Sequence, residues 1–351
     1  MLYPLKFQPV FKDYIWGGRN LEQFGKKLPP GNVAESWEIS CHPNGISIVS
    51  NGEFTGQSLP ELIGKFGRQL VGTALPEKDV ATFPLLIKLI DANDKLSVQV
   101  HPDDSYALTH EHGELGKNEM WHILSAKPGA KLIYDVLPGT NLEIFSQAVK
   151  DNHIGDYLKS VEVFAGDTLN IPAGLIHAIG EGIVLAEIQQ NSDTTYRVFD
   201  YNRVDKNRQS RPLHVEKAKE VIDFAHSGRP EKMTGLTVTI NREGSKKYLI
   251  ANKYFSVELL DVHGSIVENA DGSKFYIYLL TEGEARLDFQ GGRTSVTRGE
   301  SLLVPASMGD YRFEGCFKAL KTYVPDLTRD IVRPLKKAGY TEPEIIAKLM
   351  N

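Results

Sequence analysis

Three stretches of this chain carry cation-binding side chains at spacings that regular structure would bring to one point. Lys95-Leu-Ser97-Val-Gln99-Val-His101-Pro102 alternates with period two, so Ser97, Gln99 and His101 share one strand face while Leu96, Val98 and Val100 fill the other. Pro102 stops the strand and leaves the donors at its mouth. Gly116-Lys117-Asn-Glu119-Met-Trp121-His122 reads as a second alternating strand with Lys117, Glu119 and Trp121 on one face. Gly166-Asp-Thr-Leu-Asn-Ile-Pro172-Ala-Gly174-Leu-Ile-His177 reads as a strand, a tight turn shaped by Pro172 and Gly174, and an imidazole presented just beyond. A lone histidine in such a place is ordinarily a loop residue; its company recommends it as a ligand. Two imidazoles, a carboxylate and an amide oxygen make a four-donor site for a divalent cation of mixed nitrogen and oxygen preference, zinc first.

The Gly-x5-Pro-x-Gly-x2-His run resembles the second motif of cupins. Gln99-Val-His101-Pro102, Glu119 and Pro172-Ala-Gly174-Leu-Ile-His177-Ala together resemble type I mannose-6-phosphate isomerases. Glu35-Ser-Trp37-Glu38 and Asn191-Ser-Asp193-Thr-Thr-Tyr-Arg197 extend the resemblance, which covers residues 1–325. It implies Zn2+ on Gln99, His101, Glu119 and His177, and an active-site role for Arg197. Gln-x-His stands where cupins usually carry His-x-His, and the gap to the glutamate is longer; both departures favour the isomerase over other cupins.

The implied reaction interconverts mannose 6-phosphate and fructose 6-phosphate through an enediol, whose oxygen a divalent cation would stabilise. Arg197 suits a planar grip on the enediol or the phosphate, and Lys117 is the candidate for proton transfer or oxygen stabilisation. The phosphate is assigned to basic residues at the mouth, since no Gly-x-x-x-x-Gly-Lys-Ser/Thr loop is present; that absence also weighs against a kinase. Competing readings are a metal-dependent cupin oxygenase, a non-catalytic sugar-binding cupin, and an isomerase of another sugar phosphate.

To position such a site the chain must be mostly β. Short apolar runs punctuated by glycine and proline recur at 45–50, 85–91, 131–136 and 182–189, against fewer helical patterns at 59–66, 142–152, 215–224 and 342–349. The expected fold is all-β with a few helices, in two cupin-like jelly-roll barrels. Residues 1–225 form the expected metal-binding catalytic domain, a polar linker follows from His226 to Lys232, and 232–325 form a second, degenerate cupin domain. In that second unit Gly299-Glu-Ser-Leu-Leu-Val-Pro305-Ala-Ser307-Met-Gly-Asp310 copies the spacing of Gly166 to His177, with Asp310 in place of the histidine. Residues 326–351 form an extension in which Thr341 caps a short helix and Pro343 sits in its first turn; it packs either on its own barrel or on a neighbouring subunit. The space between Arg197 and the linker leaves no room for an extra helical domain, as in the shorter bacterial members of the family.

Composition narrows the partners. A formal charge of −5 without a long basic run argues against nucleic acid, and no run of 18 apolar residues suggests a membrane span. The first residues do not read as a signal peptide, and Cys41 and Cys316 form no Cys-x-x-Cys pair. The expectation is a reduced, soluble, cytoplasmic enzyme of unspecified oligomeric state acting on a small sugar phosphate.

Four further features have two readings each. His110 and His112 form a His-x-His in polar surroundings and are read as a solvated loop or helix end rather than ligands. Lys88 interrupts Leu85-Leu-Ile-Lys-Leu-Ile, so it either has a buried partner or snorkels to an edge. Asp193, Thr195 and Arg197 alternate, so the three are expected to line one pocket, with Asp193 holding the Arg197 guanidinium. Trp37 and Trp121 are read as barrel wall rather than as a platform for a sugar ring.

Overall fold

The computed structural model describes residues 2–204, 208–226 and 231–350; most of the expected linker lies outside them. Most strands of the first half of the chain form two antiparallel sheets laid face to face, and Phe7–Gln8 pairs with Ile48–Val49 in a separate two-stranded sheet. One has six strands in the order Thr168–Ile171, Glu119–Ala126, Ile183–Gln190, Leu85–Ala92, Glu35–Ile39, Val10–Lys12. The other has five, in the order Tyr196–Phe199, Val98–Val100, His177–Ala178, Lys131–Val136, Leu158–Glu162. Ladders do not close into a continuous barrel; the jelly roll is a sandwich open at its edges.

Burial explains why alternation is visible in some strands and absent in others. Every residue of Leu85–Ala92 and Ile183–Gln190 is buried, because their sheet is covered on both faces. Towards the facing sheet, Ile90, Trp121, Ile123 and Leu169 meet Leu132 and Tyr134. Behind, Ile87, Leu89 and Ile188 meet the helix Leu59–Phe66 and Ile277, Leu279 and Leu303 of the second half. The five-stranded sheet turns Val98, Val100 and Val198 outward against the helices Leu142–Lys150 and Val215–Val221, so the intervening residues face the interior.

All four expected helices are present. Leu59–Phe66 starts at a capping box in which the Ser58 N–H donates to Glu61 at 2.7 Å, and Glu342–Leu349 starts with Thr341 N–H donating to Glu344 at 2.8 Å. The strand expected at 45–50 contracts to Ile48–Val49, and that at 182–189 shifts by one residue. Of the two readings of His110 the helix end holds: it closes a helix over Asp104–His110, whose start was not foreseen and which Asp103 caps by accepting the Tyr106 N–H.

The second half is one seven-stranded antiparallel sheet dominated by the long strands Ser256–Ala270, Tyr276–Phe289 and Gly309–Tyr323. Its interior is filled by Tyr278, Tyr311, Phe313, Leu260 and Leu302. The copied turn is there, following Ser301–Val304, but Asp310 is exposed and accepts a hydrogen bond from Asn269 at 2.6 Å, so it does not occupy the place of His177 inside the sheet. Behind the aromatic rings lies a buried charge pair, Lys321 to Glu268 at 2.6 Å, and Tyr323 donates to Glu258 at 2.7 Å. The C-terminal extension packs on its own second unit: Ile331, Leu335, Ile345 and Leu349 bury against Leu236, Tyr248 and Tyr323.

Candidate metal centre and its cavity

Ladder register brings the expected donors together. Gln99 is the cross-strand partner of His177 on one side and of Arg197 on the other. Its neighbours Val98 and Val100 are committed to the outer layer, which turns the amide inward. His101 follows the strand directly, and the turn that delivers His177 is tied to it: the Gly174 N–H donates to the His101 carbonyl at 2.9 Å. Gly174 has φ +86°, and a Cβ there would stand 3.0 Å from the Val221 carbonyl, so the turn requires glycine. Glu119 opens its strand on the opposing sheet and reaches across.

His101, Glu119 and His177 are fully buried and present their ligating atoms within 4.8 Å of one another. The two Nε2 atoms are 3.1 Å apart, and Glu119 Oε1 is 3.2 Å from His101 Nε2 while its Oε2 is 3.9 Å from His177 Nε2. Each imidazole has its Nδ1 2.9 Å from a backbone carbonyl, Thr194 for His101 and Leu175 for His177. Donation from Nδ1 leaves the Nε2 lone pairs aimed at each other and at a carboxylate. Glu119 Oε1 is paired with Lys117 Nζ at 2.9 Å, while Oε2 has no hydrogen-bond partner among the described residues. Two converging imidazole lone pairs beside a buried carboxylate are a donor set of the kind that holds a divalent metal, so these residues fit one. Gln99, the fourth expected donor, lies beside the cluster with its Nε2 3.3 Å from His177 Nε2; a half-turn of the amide exchanges nitrogen for oxygen.

Electrostatics agree with neutral imidazoles and an ionised carboxylate. Burial, reinforced by Lys117, lowers the His101 pKa, and burial with His101 alongside lowers that of His177 to about 3. For Glu119, burial pushes the pKa up, but Lys117 and the two histidines outweigh it and hold the carboxyl well below the usual range.

A cavity of about 300 Å³ opens beside this cluster, with Gln99, Lys117, Lys88, Glu187 and Arg197 on its wall. Lys117 precedes its strand rather than lying in it, yet its Nζ reaches both Glu119 and, at 3.4 Å, His101 Nε2. Arg197 donates from Nε to Ser97 Oγ at 3.2 Å and from Nη1 to the Pro212 carbonyl at 3.0 Å. Asp193, Thr195 and Arg197 all line this cavity, as their alternation suggested, but the expected clasp is not formed: Asp193 accepts from Asn44 at 2.8 Å instead. His110 and His112 are exposed and away from the cluster, His110 closing its helix.

Sequence reasoning missed the charged row beside the donor cluster. Trp37, Lys88, Glu187 and Trp121 are successive cross-strand neighbours in the six-stranded sheet. Lys88 Nζ lies 3.1 Å from Glu187 and 3.8 Å from Glu35, Trp121 donates to Glu187 at 2.8 Å, and Trp37 donates to Glu35 at 2.6 Å. Lys88 therefore has buried partners rather than a snorkelling stem. Both tryptophans are wall residues, and the Trp121 ring also stands edge-on to His177 at 5.3 Å. The one sequence signal was the lysine inside an apolar run; Glu187, in Ile-Val-Leu-Ala-Glu-Ile, carries the matching interruption.

Residues 4–119 match the catalytic domain of phosphomannose isomerase type I, and residues 244–324 match the mannose-6-phosphate isomerase cupin domain. The chain is 37% identical over 326 residues to the mannose-6-phosphate isomerase ManA of Bacillus subtilis (strain 168), covering 92% of this chain and 99% of that protein. It is 36% identical over 331 residues to the mannose-6-phosphate isomerase of Streptococcus mutans serotype c, with the same coverage of each. The crystal structure of the mannose 6-phosphate isomerase from Bacillus subtilis superposes with a TM-score of 0.84 at 33% identity, over 92% of this chain and 99% of that one. Sequence, fold and donor set agree: the chain belongs to the type I mannose-6-phosphate isomerase family.

Proposed function

We propose that this enzyme interconverts mannose 6-phosphate and fructose 6-phosphate through an enediol, with zinc held by Gln99, His101, Glu119 and His177. The observation that carries the reading is the convergence of two imidazole lone pairs and a buried carboxylate beside a cavity that also holds Arg197. Two relatives named as mannose-6-phosphate isomerases, matched over nearly their whole length, support the substrate pair. They also favour an isomerase over an oxygenase or a passive sugar binder.

When bound, the cation supplies a Lewis acid for the oxygen on which negative charge develops. The Thr194 and Leu175 carbonyls fix the tautomer and direction of the two histidines, and Glu119 offsets the charge they would meet. Arg197, half-buried and anchored on Ser97 and Pro212, presents a fixed cation to the anionic end of the substrate. Lys117 holds or delivers a proton at Nζ beside the reacting carbons. Lys88 stays protonated, because Glu35 and Glu187 more than offset its burial, and adds a second fixed positive charge on the wall. Residues 1–225 are the catalytic unit on this reading, 232–325 a unit without a metal site, and 326–351 an extension of the second unit.

The test is conversion of mannose 6-phosphate to fructose 6-phosphate, measured before chelation, after it, and after zinc is restored. Activity that disappears and returns is expected. Zinc-loaded protein without conversion would overturn the substrate assignment, and activity indifferent to chelation would overturn the metal role.

A further inference from the structure

The outer face of the second unit carries a nucleophile with its own base. Leu260, Val262, Phe317 and Ala319 fill the interior of the sheet, so the residues that alternate with them, Asp261, His263, Cys316 and Lys318, stand on the opposite side. His263 and Cys316 are cross-strand partners, and Asp261 precedes His263 on the same strand. Register thus sets a thiol, an imidazole and a carboxylate in a row. His263 Nδ1 is 3.3 Å from Cys316 Sγ, and its Nε2 is 3.1 Å from Asp261 Oδ1.

The two contacts use different nitrogens of one ring. A chelated cation needs sulfur, imidazole and carboxylate aimed at one point, whereas here the imidazole stands between the other two. That is the order of a nucleophile, a base and a group that orients the base. With the Nε2 proton directed at Asp261, the Nδ1 lone pair faces the thiol and can accept its proton. The other charges around the sulfur do not serve. Glu284 is its partner across the second strand gap, and Glu314 and Lys318 flank it along its own strand. Lys318 Nζ is 3.1 Å from Glu282, Arg286 pairs with Glu314 and Asp288, and Glu243 accepts the Ser265 N–H at 2.8 Å. The second cysteine is the contrast. Cys316 is exposed, while Cys41 packs against the apolar core and burial pushes its thiol pKa up, which keeps it protonated.

We propose that Cys316, with His263 as its base and Asp261 as a positioning residue, is a thiol-exchange site for low-molecular-weight disulfides. His263 Nδ1 takes the thiol proton, and the Cys316 sulfur attacks one sulfur of the disulfide. A new S–S bond forms to Cys316 as the S–S bond of the reagent breaks; the departing thiolate takes the proton from His263 and leaves as a thiol. Cys316 is oxidised to a mixed disulfide and half of the reagent is reduced, so no other oxidant enters, and a free thiol reverses the step. The site stands apart from the metal cavity and does not rest on the isomerase reading.

The test uses the full chain with cystamine as the disulfide, read by the mass of the intact protein and of its peptides. The adduct is expected on Cys316, with Cys41 unmodified, and should be removed by a free thiol. At about pH 7 Cys316 should react roughly 10-fold faster than N-acetylcysteine, and His263→Gln should lose that advantage. Asp261→Asn should react at an intermediate rate, with its pH–rate profile displaced towards that of His263→Gln. Both substitutions lie on an exposed face, so the urea midpoints should stay those of wild type. Equal rates in wild type and folded His263→Gln would overturn the proposal, as would an adduct on Cys41 instead of Cys316. A wild-type rate no higher than that of N-acetylcysteine would overturn it without any variant. An unchanged pH–rate profile in Asp261→Asn would overturn the role given to that carboxylate.

Discussion

Replacing Lys88 by methionine removes an ammonium that is 3% exposed while keeping most of the volume of its stem. The group left behind is Glu187, 4% exposed, which then loses its partner at 3.1 Å and keeps only the Trp121 N–H. Stranding a buried charge in this way costs about 3–5 kcal/mol. The cost should depend on pH in a defined direction. Burial, and then Glu119, already raise the Glu187 pKa, with Lys88 the main influence opposing them; without the lysine it rises further. A carboxyl whose folded pKa exceeds its unfolded value takes up a proton on folding, so the protein is penalised at high pH and relieved as pH falls. Urea midpoints of wild type and Lys88→Met, measured at about pH 8 and about pH 5.5, should therefore differ widely at the first and converge at the second. Adding Glu187→Gln, which removes the stranded charge while keeping an oxygen for Trp121, should recover much of the stability at the higher pH. Equal midpoints for Lys88→Met and wild type at about pH 8, or a loss that does not vary with pH, would refute the reasoning.

Three other outcomes are expected. His177→Ala should lower bound zinc and turnover together, read by elemental analysis and the coupled isomerase assay; full zinc occupancy in the variant would remove His177 from the ligand set. Arg197→Ala should keep its zinc and lose about 100-fold or more in turnover, whereas unchanged turnover would make Arg197 structural. His122 lies buried beside Thr168, and burial, with Lys247 adding, lowers its pKa from 6.5 to about 4. The unfolded chain gains a proton near pH 6.5 that the folded chain refuses until about 4, so stability is present above that window and is lost as pH falls through it, by on the order of 3 kcal/mol. His122→Gln should flatten the decline in denaturant midpoint across those pH values, and an identical slope in both proteins would contradict the assignment.

What the sequence revealed depended on whether local rules and tertiary packing agreed. Gln99 and His101 were legible because Val98 and Val100 make the alternation clean and Pro102 ends it. His177 was legible through Gly174, whose backbone conformation permits few other residues. Lys88 was visible as an anomaly, but its partner was not: Glu187 lies far along the chain and meets it only through the pairing of two strands buried on both faces, where no alternation marks an inward side. Asp193 was placed correctly on the cavity with Thr195 and Arg197, but alternation could not say that Asn44, far along the chain, would take its carboxylate. In the second unit the repeated turn was correctly located, yet spacing could not tell which way Asp310 points. Packing of the extension onto its own sheet is a matter of tertiary apolar contact that a capped helix in isolation does not specify.

One consequence of the ladder register concerns length. Gln99 pairs with His177 across one strand gap and with Arg197 across the other, and each gap is ~4.8 Å wide. The backbones that carry His177 and Arg197 are thus held ~10 Å apart by the sheet itself, whatever the loops around the mouth do. The β-sheet acts as a ruler whose unit is the interstrand repeat. On the proposed reading it gauges how far a carbonyl stands from a phosphate, so that a sugar phosphate one carbon shorter or longer would engage one end only. Loop substitutions could change how tightly a substrate is held; changing the measured length would need a slip of register, which turns every side chain on the strand to its other face.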